Sequence, residues 1–226
     1  MKIVAALTDP AHAAIAQEQG ADIVELRLDL MTGDPVSLVQ TCREGCSLPV
    51  IATIRSAQEG GQFFGDATTW YEKIQPVVPL VEYIDIEQRF AAFAPPVRQA
   101  GKMIIASHHA GGMISLHDLF MLERELRTYG DIVKIIVTPG DEEDIIDLIS
   151  FTHTIQKPVC TGVMGTRFRY ARAILPFFGS HLVYCNVGTP TADGQYSIKE
   201  FGVLMELLKG SHAPFSSPRT EHGPEP

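Results

Sequence analysis

The sequence has few cysteines and no long hydrophobic run. Its 226 residues include four cysteines, and none of its apolar stretches approaches the roughly 18 residues of a membrane span. The opening residues, MKIVAALTD, form an apolar run that is too short for a signal peptide and has no small-residue cleavage site after it. We therefore expect a cytoplasmic protein with reduced thiols and no membrane partner.

The sequence also has fewer basic than acidic residues. Lys and Arg number 18 against 27 Asp and Glu, which gives a net charge of −9 and a pI near 5.3. An acidic surface repels phosphates, so nucleic acid is not an expected partner, whereas a few basic residues in a cleft could still bind a small anion. Because 45% of the residues are hydrophobic, the chain has enough apolar material for a sizeable core.

The sequence offers no complete set of metal ligands. Cys42 and Cys46 have no second close pair to complete a zinc site. The neighbouring His108 and His109 should point to opposite faces of a strand, and no nearby carboxylate completes a facial ligand set with them and His117. We therefore expect no metal.

Eight β-rich runs alternate with helical stretches along the chain. They start 20 to 33 residues apart, which leaves room for the crossover helices of a parallel sheet. The predicted strands are Lys2–Leu7, Asp22–Leu28, Pro49–Ile54, Glu82–Glu87, Lys102–Ser107, Asp131–Val137, Pro158–Val163 and Leu182–Val187. Eight such units predict a (β/α)8 barrel, that is, a TIM barrel of class α/β.

Residues 1–210 are predicted to form a single barrel domain. The tail, 211–226, is rich in Pro, Ser and Gly and is expected to be flexible. A doubly wound open sheet is the alternative fold. It is disfavoured because Thr8, Asp9 and Pro10, rather than a glycine-rich dinucleotide fingerprint, follow the first strand.

Charged residues interrupt the predicted strands with a period of two. Glu25, Arg27 and Asp29 share one face of the second strand, and Arg55 ends the third strand just before Glu59. A sheet covered by helices has no solvated outer face, so these charges should point into the barrel or its mouth. The alternative is that the second strand lies at an edge with one face in solvent.

Polar groups also end the next three strands. The fourth ends in Asp85 and Glu87, the fifth in Ser107 and His109, and the sixth contains Lys134 between branched apolar residues. All of them fall toward the carboxyl ends of their strands, where barrel enzymes place their active sites. Five strands with polar groups at the same end are hard to explain by errors in strand register.

Lys134 and His109 are the candidate reactive groups. A buried ammonium, which costs several kcal/mol to desolvate, persists when it is paired with a carboxylate such as Glu25 or Glu87, or when it becomes a neutral nucleophile. The pattern favours the nucleophile and leaves the ion pair open. His109 can accept and donate protons near neutral pH, whereas His108 should face the other way and be structural.

Three arginines follow the seventh strand. Arg167, Arg169 and Arg172 stand at a helix start, where positive charge opposes the helix dipole. We expect some of them to bind an anion and at least one to lie on a solvated face. The turn-rich loop 189–195 after the eighth strand has groups that could hydrogen-bond a polyhydroxylated substrate.

Taken together, these motifs resemble those of type I 3-dehydroquinate dehydratase over nearly the whole chain except the tail. The matching segments are 25–29, 53–55 with 59–61, 83–87, 107–109, 131–135, 164–172 and 193–195. The resemblance implies a cytoplasmic homodimer with a (β/α)8 fold and neither cofactor nor metal. It implies dehydration of 3-dehydroquinate to 3-dehydroshikimate, the third step of the shikimate pathway.

The resemblance also implies roles for individual residues. Lys134 corresponds to the family's Schiff-base lysine, His109 to its catalytic histidine, and Glu59 to a carboxylate near that histidine. The implied substrate-binding residues are Glu25, Arg27, Arg55, Arg172, Thr191 and Gln195.

Four residues depart from the family pattern without removing a group that the mechanism needs. Ala110 and Gly111 replace the usual Asp-Phe, and Phe168 and Ala171 replace a Gly and a Ser. Two other functions fit a barrel with such a lysine. A class I aldolase is disfavoured because the loops after strands seven and eight lack glycine-rich phosphate cups, and a non-catalytic barrel could bind a polyol acid without turning it over.

Overall fold

A computed structural model describes residues 1–209, and the predicted tail, 211–226, lies outside the described residues. It contains eight parallel strands in the order β7-β6-β5-β4-β3-β2-β1-β8. Their bounds are β1 Lys2–Leu7, β2 Ile23–Arg27, β3 Val50–Thr53, β4 Tyr83–Glu87, β5 Met103–His109, β6 Ile132–Val137, β7 Val159–Val163 and β8 Leu182–Asn186. All eight predicted strands are present, with ends that differ from the prediction by two residues at most.

The two end strands of this sheet meet and nearly close it. The backbone N–H of His181, just before β8, donates to the carbonyl of Val159 in β7 at 2.7 Å. Val159 also forms an isolated parallel bridge with Ser180. The predicted (β/α)8 barrel is therefore confirmed, and the doubly wound open sheet is wrong.

Helices follow the strands and cover the outside of the barrel. Their bounds are α1 Ala13–Glu18, α2 Pro35–Gly45, α3 Ala67–Ile74, α4 Ala94–Gln99, α5 Leu116–Arg127, α6 Glu142–Thr154, α7 Ala171–Ile174 and α8 Ile198–Lys209. The side chains of Asp34, Ser115 and Asp141 cap α2, α5 and α6 by accepting from backbone N–H groups of the first turn. Within residues 1–209, no helix is long and apolar enough to cross a membrane.

Inside the barrel, an apolar layer lies at the amino-terminal end of the strands. We call this layer the floor; its buried members are Val4, Ile23, Ile51, Ile105, Ile132, Cys160 and Leu182, with Tyr83 and Tyr184 packed against them. Side chains alternate along a strand, so the residues two positions further on also point inward. Those residues include Glu25, Asp85 and Lys134, and the floor therefore supports a charged level directly above it.

Candidate active site

One cavity opens at the carboxyl ends of the strands. It has a volume of about 130 Å³, which is room for on the order of ten water molecules and thus for a small ring acid. The nine site residues predicted from the sequence all line it, namely Glu25, Arg27, Arg55, Glu59, His109, Lys134, Arg172, Thr191 and Gln195. The barrel therefore brings together groups from β2, β5 and β6, from the segments after β3 and β8, and from α7.

Lys134 lies deep in this cavity and is 4% exposed. Its Nζ is 3.1 Å from Oδ2 of Asp85 and 3.8 Å from Oε1 of Glu25. The aromatic ring of Tyr184 lies on another side, with its centroid 4.0 Å from Nζ. The ion pair considered from the sequence is therefore present, but Asp85 rather than Glu87 is the near partner. Because the same lysine lines the cavity, the ion pair and a reactive role are compatible.

Arg55 links the carboxylates of the charged level. Its guanidinium donates to Glu59 at 2.9 Å, to Asp85 at 2.9 Å and to Glu87 at 3.1 Å. Burial lowers the pKa of Arg55, but the carboxylates of Asp85, Glu87 and Glu59 outweigh burial and raise it. Burial likewise raises the pKa of Asp85, but Arg55 and Lys134 bring it below its usual value. Asp85 is therefore an anion shared by two cations.

Glu59 connects this network to His109. Oε2 of Glu59 lies 3.0 Å from Nδ1 of His109 and accepts the backbone N–H of His109 at 3.0 Å. Burial, together with the charges of Glu87 and Asp85, raises the pKa of Glu59 to about 8 against the pull of Arg55. Burial and the positive charge of Arg55 and Lys134 hold the pKa of His109 well below its usual value. The Glu59 carboxylate is therefore the hydrogen-bond partner of both the ring and the backbone of His109.

His108 lies nearer to this pair than the alternation of strand faces indicated. Its Nδ1 is 3.7 Å from Oε1 of Glu59, while the other oxygen of Glu59 faces His109. Burial and Arg55 lower the pKa of His108. The carboxylate comes from a loop above the strand end, and it therefore reaches both histidines.

A tight turn after β3 holds Glu59 in place. Gly60 adopts the left-handed conformation with φ +83, and a Cβ on Gly61 would lie 2.1 Å from the carbonyl oxygen of Arg55. The N–H of Gly61 donates to the carbonyl of Ser56 at 2.8 Å. Because the chain folds back on Arg55, the Glu59 carboxylate reaches the guanidinium four residues earlier.

Only one of the three arginines after β7 lines the cavity in the described structure. Arg172 does so, and it donates to the backbone carbonyl of Asp193 at 3.2 Å. Burial lowers the pKa of Arg172. Arg169 instead lies over Tyr196 at 3.9 Å and pairs with Glu200 at 3.1 Å. Arg167 points elsewhere, because its guanidinium donates to the Gly140 carbonyl.

Two further predicted residues are held by local hydrogen bonds. The backbone N–H of Thr191 donates to Oε1 of Gln195 at 2.9 Å, so the side-chain oxygen of Gln195 already has a partner and its amide N–H groups remain as donors. Arg27 forms a two-pronged ion pair with Asp29, at 2.9 and 2.8 Å. Both arrangements fix a hydrogen-bond donor at the rim of the cavity.

The four departures from the family pattern lie within four residues of His109 or Arg172 in the sequence. Phe168 and Ala171 are 3% and 0% exposed and pack in the core next to Arg172. The N–H of Ala110 donates to the Ile136 carbonyl at 2.8 Å and so extends the pairing of β5 with β6 past His109.

Four neighbours of Lys134 and Arg55 are absent from the predicted site residues. Asp85 and Tyr184 contact Lys134, Glu87 accepts from Arg55, and Ser107 hydrogen-bonds with Arg55 and Asp85. For Asp85, Glu87 and Ser107 the signal was present, because all three stand among the polar groups at the carboxyl ends of the strands. Tyr184 has an ordinary strand sequence around it, and only the closed barrel brings it to the lysine.

Comparisons with known proteins identify the family. The family model for type I 3-dehydroquinase matches residues 5–212. The chain is 62% identical to the 3-dehydroquinate dehydratase of Methanoregula boonei, over 92% of this chain and 100% of that protein. It is 38% identical to that of Methanospirillum hungatei, over 92% and 81%.

A solved structure gives the same result. The crystal structure of the 3-dehydroquinate dehydratase from Aquifex aeolicus matches with a TM-score of 0.80 and 27% identity, over 92% of this chain and 99% of that chain. Residues 1–209 contain no group of three or more His, Cys, Asp or Glu side chains placed to hold a metal ion. The aldolase and the non-catalytic barrel are set aside by these matches. The chain is a hydro-lyase and belongs to the type I 3-dehydroquinase family.

Proposed function

We propose that this hydro-lyase converts 3-dehydroquinate to 3-dehydroshikimate through a Schiff base on Lys134. The observation that carries the proposal is that Lys134 and His109, two groups suited to amine attack and proton transfer, line the same small cavity. The family and the names of the relatives support the substrate.

The substrate carboxylate would bind at Arg172. This guanidinium lines the cavity, and its buried Nε has no hydrogen-bond partner within residues 1–209. A carboxylate can accept two parallel hydrogen bonds from a guanidinium, which fixes the orientation of a ring acid. The ring hydroxyls would bind to Glu25, Arg27 and Gln195. Arg55 has its donors engaged by carboxylates, and its main role would be to hold Glu59 and Asp85.

The covalent step begins at the C3 ketone. The Lys134 ammonium first gives a proton to His109, and the neutral amine then forms a bond from Nζ to C3 while the carbonyl electron pair moves to oxygen. The nitrogen loses a second proton to that oxygen, and His109 returns the first, so the oxygen leaves as water. The product is an iminium cation in the position that the ammonium occupies now. Asp85 at 3.1 Å and Glu25 at 3.8 Å supply counter-charge for this cation. The ion pair seen in the unbound site therefore suits the intermediate as well.

Elimination follows because the iminium withdraws electrons from C2. His109 removes a proton from C2, the enamine forms, and the C1 hydroxyl leaves as water with a proton from His109. With Glu59 ionised, the Nδ1–H of His109 donates to it and Nε2 keeps the lone pair that acts as base. Hydrolysis of the imine then releases 3-dehydroshikimate and restores Lys134.

Reduction with borohydride in the presence of 3-dehydroquinate tests the proposal. Wild-type protein should gain a stable adduct on Lys134, located by mass spectrometry of its peptides. Lys134→Ala should lower turnover, measured by absorbance near the enone band, by a factor on the order of 10⁴ or more while the fold persists. Lys199→Ala, on the exposed side of α8, is the matched control and should behave as wild type. An unmodified Lys134 after reduction would contradict the mechanism.

Two further expectations from the family resemblance stay predictions. A homodimer would be detected by sedimentation of the full chain, and a cytoplasmic location by fractionation of cells that express it.

A further inference from the structure

Tyr184 is a cavity residue to which the steps above give no task. It belongs to β8, its ring packs against the floor, and its ring centroid is 4.0 Å from Nζ of Lys134. Cys160 and Leu182 of the floor line the cavity beside it. Tyr184 therefore stands where the apolar floor meets the reacting nitrogen.

The hydroxyl of Tyr184 has no hydrogen-bond partner within residues 1–209, although its oxygen is buried. A buried polar group without a partner destabilises the folded state, and buried tyrosine hydroxyls usually find a partner. The residue lines the cavity, so a small rotation of its ring would present the hydroxyl to a bound molecule, which would supply the missing acceptor.

The surroundings select the kind of acceptor. Burial, together with the charges of Glu25 and Asp85, holds the pKa of Tyr184 well above its usual value, so the hydroxyl keeps its proton and acts as a donor. The same carboxylates repel an anionic group, and the substrate carboxylate already has a place at Arg172. A neutral oxygen, such as that of a ketone or a hydroxyl, is the acceptor that fits.

We propose that the Tyr184 hydroxyl donates a hydrogen bond to the oxygen on the substrate carbon that Lys134 attacks. This inference rests on the proposed function. That oxygen is bonded to the same carbon as the new C–N bond, so it lies beside Nζ and within the region that Tyr184 borders. It gains negative charge as Nζ adds, and a fixed donor lowers the barrier for such a step. Tyr184 keeps its proton throughout, while His109 supplies the one that makes water of the leaving oxygen.

Tyr184→Phe tests this role because it removes the hydroxyl and keeps the ring against Lys134. We expect kcat/KM to fall about 10-fold, and the rate of borohydride trapping to fall by a similar factor, because the addition step loses a donor. Thermal stability should stay the same or rise, since the variant removes an unpartnered buried group. Tyr83→Phe is the matched control: Tyr83 packs against the same floor, and it should keep wild-type activity.

The outcomes separate this inference from the proposed function. If wild-type protein forms the adduct and Tyr184→Phe matches it in trapping rate and kcat/KM, the hydroxyl has no such role and only this inference fails. A fall in melting temperature of Tyr184→Phe with unchanged trapping would show a structural hydroxyl and would also overturn it. If wild-type protein forms no adduct, the proposed function fails first and the inference with it.

Discussion

The floor and the charged level of the barrel interior are built by the same strands and differ in almost every physical property. In β2, Ile23 belongs to the floor and Glu25 to the charged level; in β6, Ile132 and Lys134 stand in the same relation. Burial of apolar side chains stabilises the floor, whereas burial of charge is costly unless each charge is paired. The difference indicates that the floor serves stability and that the charged level is retained for chemistry.

Asp85→Asn should give the largest effect on stability and should also reduce activity. It leaves Arg55 and Lys134 without their shared anion, and breaking a buried pair costs about 3–5 kcal/mol. The free energy of unfolding, measured with denaturant, and kcat should both fall. Glu82→Gln breaks the exposed pair with Arg43 and should change stability by less than about 1 kcal/mol. Equal effects of the two substitutions would remove the basis for treating the charged level as distinct.

Ile51→Ala in the floor should lower stability and leave the chemistry intact. It removes a fully buried side chain, which costs about 2–5 kcal/mol through lost transfer energy and a residual cavity. The kcat/KM of the folded fraction, assayed well below the melting temperature, should stay near wild type. Ile146→Ala, 65% exposed on α6, is the control and should cost within about 0.5 kcal/mol. A large loss of kcat/KM in Ile51→Ala would show that the two levels are not separable.

Gly61→Ala should reduce activity more than stability. The new Cβ would meet the Arg55 carbonyl at 2.1 Å, so the turn must move and carry Glu59 away from His109. We expect kcat/KM to fall about 10-fold, since small displacements of a positioning group are costly. Gly112→Ala meets no atom within 4 Å and is the control. Wild-type kcat/KM for Gly61→Ala would mean that the position of Glu59 has little influence on turnover.

The change of kcat/KM with pH should be the smallest of these effects. It should depend on the charged groups of the site and not on the floor. The pKa of Glu59 is raised to about 8, and the basic form of its pair with His109 is the one that has lost the shared proton. This form accumulates as the pH rises, so kcat/KM should increase with pH through an inflection near 8. Glu59→Gln should remove the inflection, and Ile51→Ala should leave it in place. An inflection near 6.5, that of an isolated histidine, would count against control of the pH dependence by Glu59.

The fold and the inward-facing strand residues of the cavity were accessible from the sequence because both follow from periodicity, whereas Glu59, Arg172, Thr191 and Gln195 were assigned from the family resemblance. Alternation along each strand predicted the inward direction of Glu25, Arg55 and Lys134, and the parallel strands placed them at one end. The pairing between side chains was less accessible. Lys134 on β6 contacts Asp85 on β4, and that choice depends on the stagger of strands in the closed barrel, which leaves no mark on either local sequence.

His108 and Tyr184 show the same limit in two forms. Strand alternation separates His108 from His109, but Glu59 enters from a loop and approaches both. Tyr184 comes near Lys134 because the barrel curves round through β7 and β8, so two residues 50 positions apart meet across its interior. Loop conformation and barrel closure are tertiary properties, and the strand pattern does not contain them.

The apolar floor determines how substrate and product enter and leave the barrel. Its buried side chains, at most 5% exposed, close the amino-terminal end of the barrel. Substrate that has entered at the carboxyl ends of the strands must leave as product in the direction from which it came. A compound lodged across that mouth would block entry and retain whatever lies beneath it, and the rate at which the mouth clears sets an upper limit on turnover.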